Sequence, residues 1–400
     1  EESNYMQADR NDNRKAEAAA NLARRKQELR RKKQKKQKKL RAFVMLGMLL
    51  IVVLVLIIGC TEIVKITARK IADSRAAGKA AEEALAEAER GSIVMGLKGS
   101  KVQLVLQGEP YIENGAFAID RRQGALPSDE IKTSGKVDTS APGDYTVTYS
   151  IESNGVSVET ERTVRVLSEE DYGDKASDVP VMMYHWVYSA DDMPDNVDGN
   201  WILDTTLAEQ MEYLRDNNFY YPGWKELRAW VDDEITLPEK SVIITFDDGK
   251  KAFLEHGIPV LEKYEVPATS FMIGWEKNKG ADKVRDYPSP YIDFESHTFA
   301  MHQQAVPRVK GHKGRVAVMS TEEIREDLAM AAELVGSNDA IAYPYGDYTD
   351  SMLEAVREQG ISCAFTIEYD RVRKGMDPAR LPRIRVLGNE SFETWKYSVN

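Results

Sequence analysis

"SVIITFDDG", Ser241–Gly249, is the stretch on which the reading of this chain turns. Val242 to Phe246 are apolar or β-branched throughout, the composition of a strand buried on both faces. Two adjacent aspartates and a glycine end it. Asp-Asp-Gly after an apolar run is also how an ordinary strand enters a turn, so the neighbouring sequence has to separate a turn from a site.

Working outward, strand-like and helix-like segments alternate. "PVMMYHW" precedes the helical "TTLAEQMEYLRDNN" and "KELRAWVDD". After "SVIITF" come helix "FLEHGIPVLEKY", strand "ATSFMIG", helix "STEEIREDLAMAAELV", strand "DAIAYPYG", helix "TDSMLEAVREQG" and strand "SCAFTI". Such alternation predicts an α/β domain with a largely parallel, barrel-like sheet over residues 179–400. Functional residues of such sheets gather at the C-terminal ends of the strands, where Asp247 and Asp248 fall.

The N-terminal part is of another kind. Residues 1–41 hold 15 Lys+Arg against 6 Asp+Glu, a net of +9, so the total of -11 leaves -20 for the remainder. "AFVMLGMLLIVVLVLIIGCT", residues 42–61, carries no charge over the length needed to cross a bilayer core of about 30 Å. A transmembrane helix is expected there. The basic tail before it places the N-terminus in the cytoplasm and the acidic remainder outside the cell. That tail suits anionic lipid headgroups rather than nucleic acid. "IIGC" also resembles a lipoprotein signal box, which would lipidate Cys60 and again anchor the chain. The only other cysteine is Cys363, so no disulfide framework is expected outside.

Residues 62–90 read as a helical stalk, its apolar positions mostly Ala, which favours a monomer over a coiled coil. Residues 91–167 alternate with period two in "KVQLVLQG", "DYTVTYSIES" and "VSVETERTVRVL", predicting a small β-sandwich. "APGDYTVTYSI" resembles the bacterial Ig-like modules of surface proteins, whose work here would be spacing or glycan contact. A linker, 168–178, leads into the α/β domain.

Of five histidines, His297 and His302 lie together in "ESHTFAMHQQ". Two histidines and a carboxylate make a minimal divalent-metal site; two surface histidines with no ligand is the alternative. Five residues on a helix would turn the side chains about 140° apart, so a shared metal requires a loop or irregular turn.

With "TFDDG" added, residues 179–400 resemble the polysaccharide deacetylases of carbohydrate esterase family 4, the NodB-homology domain. The most specific stretch is "LPEKSVIITFDDGKKAFLEHGIPVLEKYEVPATSFMIG". The resemblance implies a distorted (β/α) barrel with Asp247 as catalytic base and Asp248, His297 and His302 as ligands of a divalent metal, Zn²⁺ above all. Most members space the metal histidines by four; the spacing of five is similar to members acting on poly-N-acetylglucosamine. "AYPYG" stands where the family has Arg-x-Pro-Tyr, with Ala342 in place of the arginine, so Arg383 or Arg385 in "LPRIRV" is the candidate partner of the base. No histidine follows His312 to serve as general acid. "VPVMMYHWV" resembles the circularly permuted form of the fold, which makes His185 the acid, and a backbone N–H near Tyr345 would hold the oxyanion. His256 and His312 are assigned to the surface. Trp186, Trp201, Trp224 and Tyr345 have faces that match a pyranose ring; core packing is the expected role of at least half of them, and Tyr345 is the one placed near the site.

The expected activity is metal-dependent de-N-acetylation of a cell-envelope glycan: a secondary cell-wall polysaccharide or its linkage unit, peptidoglycan, or poly-N-acetylglucosamine. The alternatives are a catalytically inactive glycan-binding protein on the same fold, which the loss of arginine at position 342 favours, and an O-acetyl esterase using the same site.

Overall fold

The computed structural model describes residues 92–400. The basic tail, the expected membrane span and the stalk lie outside the described residues. Among those described, no helix is long and apolar enough to cross a membrane.

Seven strands come first: β1 Ile93–Leu97, β2 Val102–Leu106, β3 Ala116–Asp120, β4 Gly124–Leu126, β5 Lys132–Ser134, β6 Gly143–Ser153 and β7 Val156–Leu167. They form two sheets, ordered β1-β3-β4 and β2-β7-β6-β5. The β6–β7 hairpin turns on Asn154 and Gly155, both at positive φ, the geometry a two-residue turn needs to follow strand twist. Val147, Tyr149, Val164 and Val166 point into the sandwich, as the period-two pattern predicts.

The second part contains β8 Val181–Tyr184, β9 Trp186–Tyr188, β10 Trp201–Leu203, β11 Ile243–Phe246, β12 Ala268–Met272, β13 Ile292–Ser296, β14 Ala340–Ala342, β15 Cys363–Phe365 and β16 Ile384–Arg385. Seven of these make one sheet, β15-β14-β13-β12-β11-β8-β16, parallel at every pairing. The segment leading into β16 joins the two edges. The Pro378 and Leu381 carbonyls accept from Ala364 and Thr366 along β15, while Val386 donates to Met183 of β8 at 3.0 Å. The sheet therefore curls on itself, bridged by an irregular segment rather than a full ladder.

Curling explains the continuous apolar runs. Val181, Ile243, Phe271, Ala342 and Phe365 come from strands far apart in the row yet share one core cluster with Trp224 and Trp230, which requires that they face inward. The other strand faces pack under helices. In the helix Thr321–Val335, residues Ile324, Leu328, Ala331 and Val335 are buried, one stripe at helical spacing. Its start is fixed by Ser320 and Glu323, each side chain bonding the other's backbone N–H.

The sandwich is bonded to the N-terminal end of the barrel strands. Ser100 N–H donates to Tyr221 O at 2.8 Å and Ser128 N–H to Gly336 O at 2.9 Å. Glu109 accepts from the Thr236 backbone at 2.7 Å, and Asn114 pairs with the buried Glu226. Lys98, 2% exposed, enters the barrel itself, reaching Glu295 at 3.0 Å, Asp339 at 2.6 Å and Asp293 at 3.8 Å. Asp293 and Glu295 lie on β13, a strand the sequence reading did not find.

Candidate active site

Asp247 and Asp248 stand just past the C-terminal end of β11. Asp247 is 3% exposed, and each of its carboxylate oxygens accepts from one arm of the Arg383 guanidinium at 2.7 Å. This two-pronged pairing is the strongest geometry available to a carboxylate. Arg383 is wholly buried and held in turn by the Thr366 carbonyl at 3.2 Å and the Thr245 hydroxyl at 3.3 Å. Burial alone would raise the Asp247 pKa, but the guanidinium charge and hydrogen bonds outweigh it and hold the carboxyl below its ordinary range. The place left open by Ala342 is thus taken by an arginine from the barrel's closing segment. Arg385, the other candidate partner, is corrected out of this role. It lies two residues along the same strand face, about 6.6 Å further toward the rim, where it is exposed and donates to Asn200 Oδ1 at 2.6 Å.

Asp248 takes φ +74, and its carboxylate meets the histidines. Its Oδ1 lies 3.6 Å from His297 Nε2 and 3.3 Å from His302 Nε2. One ligand atom from each of the three residues falls within 4.8 Å of the others. His297 follows β13 directly and His302 lies in the irregular turn after it, as their spacing requires. The Nδ1 of His297 is 2.7 Å from the Ala342 carbonyl. A carbonyl only accepts, so Nδ1 carries the proton and Nε2 presents its lone pair to the cluster, the arrangement found at metal-ligating histidines. Burial opposes the Asp248 charge; when the two imidazoles are protonated at Nε2, their hydrogen bonds and charge outweigh it and hold the carboxyl well below its ordinary range. Two imidazole nitrogens and one carboxylate oxygen, with further positions open, fit a small divalent cation.

His185 follows β8, the strand paired directly with β11, where Tyr184 lies opposite Phe246. Its Nδ1 is buried without a hydrogen-bond partner. Burial pushes its pKa down against the raising influence of Asp247 and Asp248. Tyr345 packs its ring 4.3 Å from that of His302 and donates its hydroxyl to the His302 carbonyl at 2.7 Å. Among the described residues, Asp248, Thr298 and Tyr345 are three of the eight non-glycine residues at positive φ, so backbone strain is present around this cluster, as it is at functional sites.

The aromatic residues divide. Trp224 is 3% exposed within the inner core and is removed as a sugar platform. Trp186 and Trp201 are half-buried at the rim, ring centroids 5.0 Å apart. Trp186 also has a role the sequence did not disclose: its indole N–H donates to Asp248 Oδ2 at 2.9 Å, with the Lys250 ammonium 3.4 Å from its ring centroid. Asp327 was missed as well. It accepts from the backbone N–H groups of Phe299 and Ala300 at 2.7 and 2.8 Å, fixing the turn between the two histidines. Nothing but a carboxylate in a helix pattern marks it in the sequence. His256 pairs with Asp192 at 3.0 Å, near the surface. His312 is also partly exposed, on the wall of a surface cavity beside Tyr345.

Residues 234–364 match the family model for polysaccharide deacetylase, and residues 95–166 that for the bacterial surface protein Ig-like domain. A poly-β-1,6-N-acetyl-D-glucosamine N-deacetylase of Staphylococcus epidermidis is 29% identical over 210 residues, 48% of this chain and 70% of the relative. One from Staphylococcus aureus is 28% identical over 207 residues, 48% of this chain and 69% of the relative. A deacetylase of Streptococcus pyogenes, solved in complex with acetate, aligns over 56% of this chain and 98% of its own, at 22% identity and a TM-score of 0.46. The chain carries a polysaccharide deacetylase domain, and so a hydrolase, joined to a bacterial surface Ig-like domain.

Proposed function

We propose that this domain removes N-acetyl groups from an N-acetylglucosamine-containing glycan of the bacterial cell envelope, releasing acetate. The observation that carries the reading is Asp247, held ionised by Arg383 beside the Asp248–His297–His302 cluster at the open end of the barrel. The two staphylococcal relatives, named for poly-β-1,6-N-acetyl-D-glucosamine, support this sugar.

Asp248, His297 and His302 would hold a divalent ion, Zn²⁺ in our reading, which when bound polarises the acetamide carbonyl and acidifies water. Asp247 takes the proton of the attacking water as general base. Arg383 keeps both Asp247 oxygens in place and ionised. His185 gives a proton to the departing amine; the burial that lowers its pKa makes its imidazolium a stronger acid. A backbone N–H near Tyr345 helps hold the oxyanion. His185 arrives on β8, the first strand of the sheet in chain order, which supports the circularly permuted form of the family. The glycan-binding alternative drew on the missing arginine at Ala342, and Arg383 removes that ground. We further propose that residues 42–61 anchor the chain in the membrane with the domain outside the cell, a reading that rests on hydropathy and on the basic tail.

The test is acetate release from N-acetylglucosamine oligomers and purified wall glycans by the full chain in detergent with Zn²⁺ supplied. Release that disappears in Asp247→Asn supports the reading. Metal binding without release from any glycan would turn it toward a binding protein, and release from O-acetylated glycans alone toward an esterase.

Trp186 offers a second check. Trp186→Phe removes the N–H that orients Asp248, so Zn²⁺ affinity by equilibrium dialysis is expected to fall about 10- to 100-fold, the usual cost of losing an outer partner of a ligand. Unchanged affinity would show that Asp248 is oriented without the indole.

A further inference from the structure

Residues 301–315 fold back on themselves at the barrel mouth. Gln304 bridges to Gly314, Ala305 N–H donates to Lys313 O, and Arg315 N–H donates to Met301 O, both at 3.0 Å. Between this fold-back and Tyr345 lies a cavity of 320 Å³ whose walls include Arg308, His312 and Lys313. The volume is at the lower end for small-ligand sites. Tyr345 is a shared wall, since its ring also packs on His302. The cavity therefore sits one side chain away from the candidate metal ligands.

The charges here are unbalanced. The nearest carboxylate, Asp347, accepts from the Lys313 and Gly314 N–H groups through Oδ2, and its Oδ1 lies 4.0 Å from His312 Nδ1, so a single carboxylate faces the cations of this wall. Among the described residues, the side chains of Arg308, Lys310, Lys313 and Arg315, all on this fold-back, make no ion pair, whereas Arg325 on the helix that follows pairs with Glu358. Residues after 41 carry a net charge of -20, so this group of cations runs against the overall sign of that part of the chain. An anionic polymer would be repelled from most of the surface and drawn to this patch. Arginine and lysine together suit a tetrahedral or planar oxyanion.

We propose that the cavity is a subsite for an anionic group, a phosphate or a carboxylate, carried by the glycan next to the sugar whose acetamide is cleaved. The substrate is then an anionic glycan containing N-acetylglucosamine rather than a neutral homopolymer. The proposal rests on the deacetylase reading above.

The experiment compares three N-acetylglucosamine oligomers of equal length, one unsubstituted, one bearing a phosphate and one a neighbouring uronic acid, with the full chain and Zn²⁺. The phosphate or the uronic acid oligomer is expected to show kcat/KM about tenfold above the neutral one, the better of the two identifying the anion. The preference should shrink toward one in Arg308→Ala/Lys313→Ala, and also in roughly 1 M salt, where charges are screened beyond about 3 Å. Equal kcat/KM for all three, or a preference that survives the double substitution, overturns the subsite. Binding of the same oligomers to Asp247→Asn separates the two failures. If nothing is turned over but binding shows the charge preference, and the double substitution abolishes it, the deacetylase reading fails and the subsite stands. If binding shows no preference either, both fail.

Discussion

Asp247→Asn is expected to lower kcat/KM for acetate release by a factor of about 10²–10⁴, the range that general-base catalysis contributes, while Zn²⁺ affinity holds. Asp248→Asn should lose the metal instead, because Asp248 and not Asp247 faces the two histidines. The adjacent carboxylates are thereby separated by two different readouts. Arg383 adds a pH signature. Asp247 is held below the ordinary carboxylate range, so it stays ionised across neutrality, and the acid limb of kcat/KM should lie below about pH 4. In Arg383→Met the largest influence opposing burial is gone, the Asp247 pKa rises, and that limb should move up by about 1–3 units. The sign for stability agrees. A depressed carboxyl stabilises the fold above its unfolded pKa, and that stabilisation is lost as pH falls through the folded value. An acid limb that stays put in Arg383→Met would show that the guanidinium does not set the base.

The sequence disclosed those parts of the site that lie at the ends of apolar strands. β11 and β8 are continuous apolar runs, so Asp247, Asp248 and His185 could be placed at their C-terminal ends. β13 was not legible. "IDFES" puts Asp293 and Glu295 on the inward face, where a strand pattern calls for apolar residues, and the cation that makes this tolerable is Lys98, 197 positions from Glu295. No local rule can find a partner so distant. The same limit hid Trp186, which reaches Asp248 across 62 residues. Arg383 and Arg385 share a strand face, so parity could not choose between them; depth in the barrel did.

Lys98→Met is the second large effect, and it makes the Ig-like module part of the enzyme's folding unit. Lys98 is buried with Glu295 and Asp339, and Ser337 takes a further bond at 2.6 Å. Burial works against its charge, but three carboxylates raise its pKa well above the ordinary value. Removing it strands acidic groups in the barrel floor, and breaking a buried ion pair from one side costs about 3–5 kcal/mol. The loss should grow with pH. Burial already raises the Asp293 and Glu295 pKa values, and without Lys98 they rise further. The folded state then binds more protons than the unfolded one, so stability falls as pH climbs through those raised values. Denaturant midpoints at acid and neutral pH would show this. Adding Glu295→Gln should recover part of the loss, because removing the second partner relieves the uncompensated charge. If Lys98→Met unfolds no more easily than the parent at neutral pH, the module is a passive spacer. A fall in stability that Glu295→Gln repairs means instead that β13, and His297 at its end, are held in register from the opposite end of the barrel by a residue of the neighbouring module.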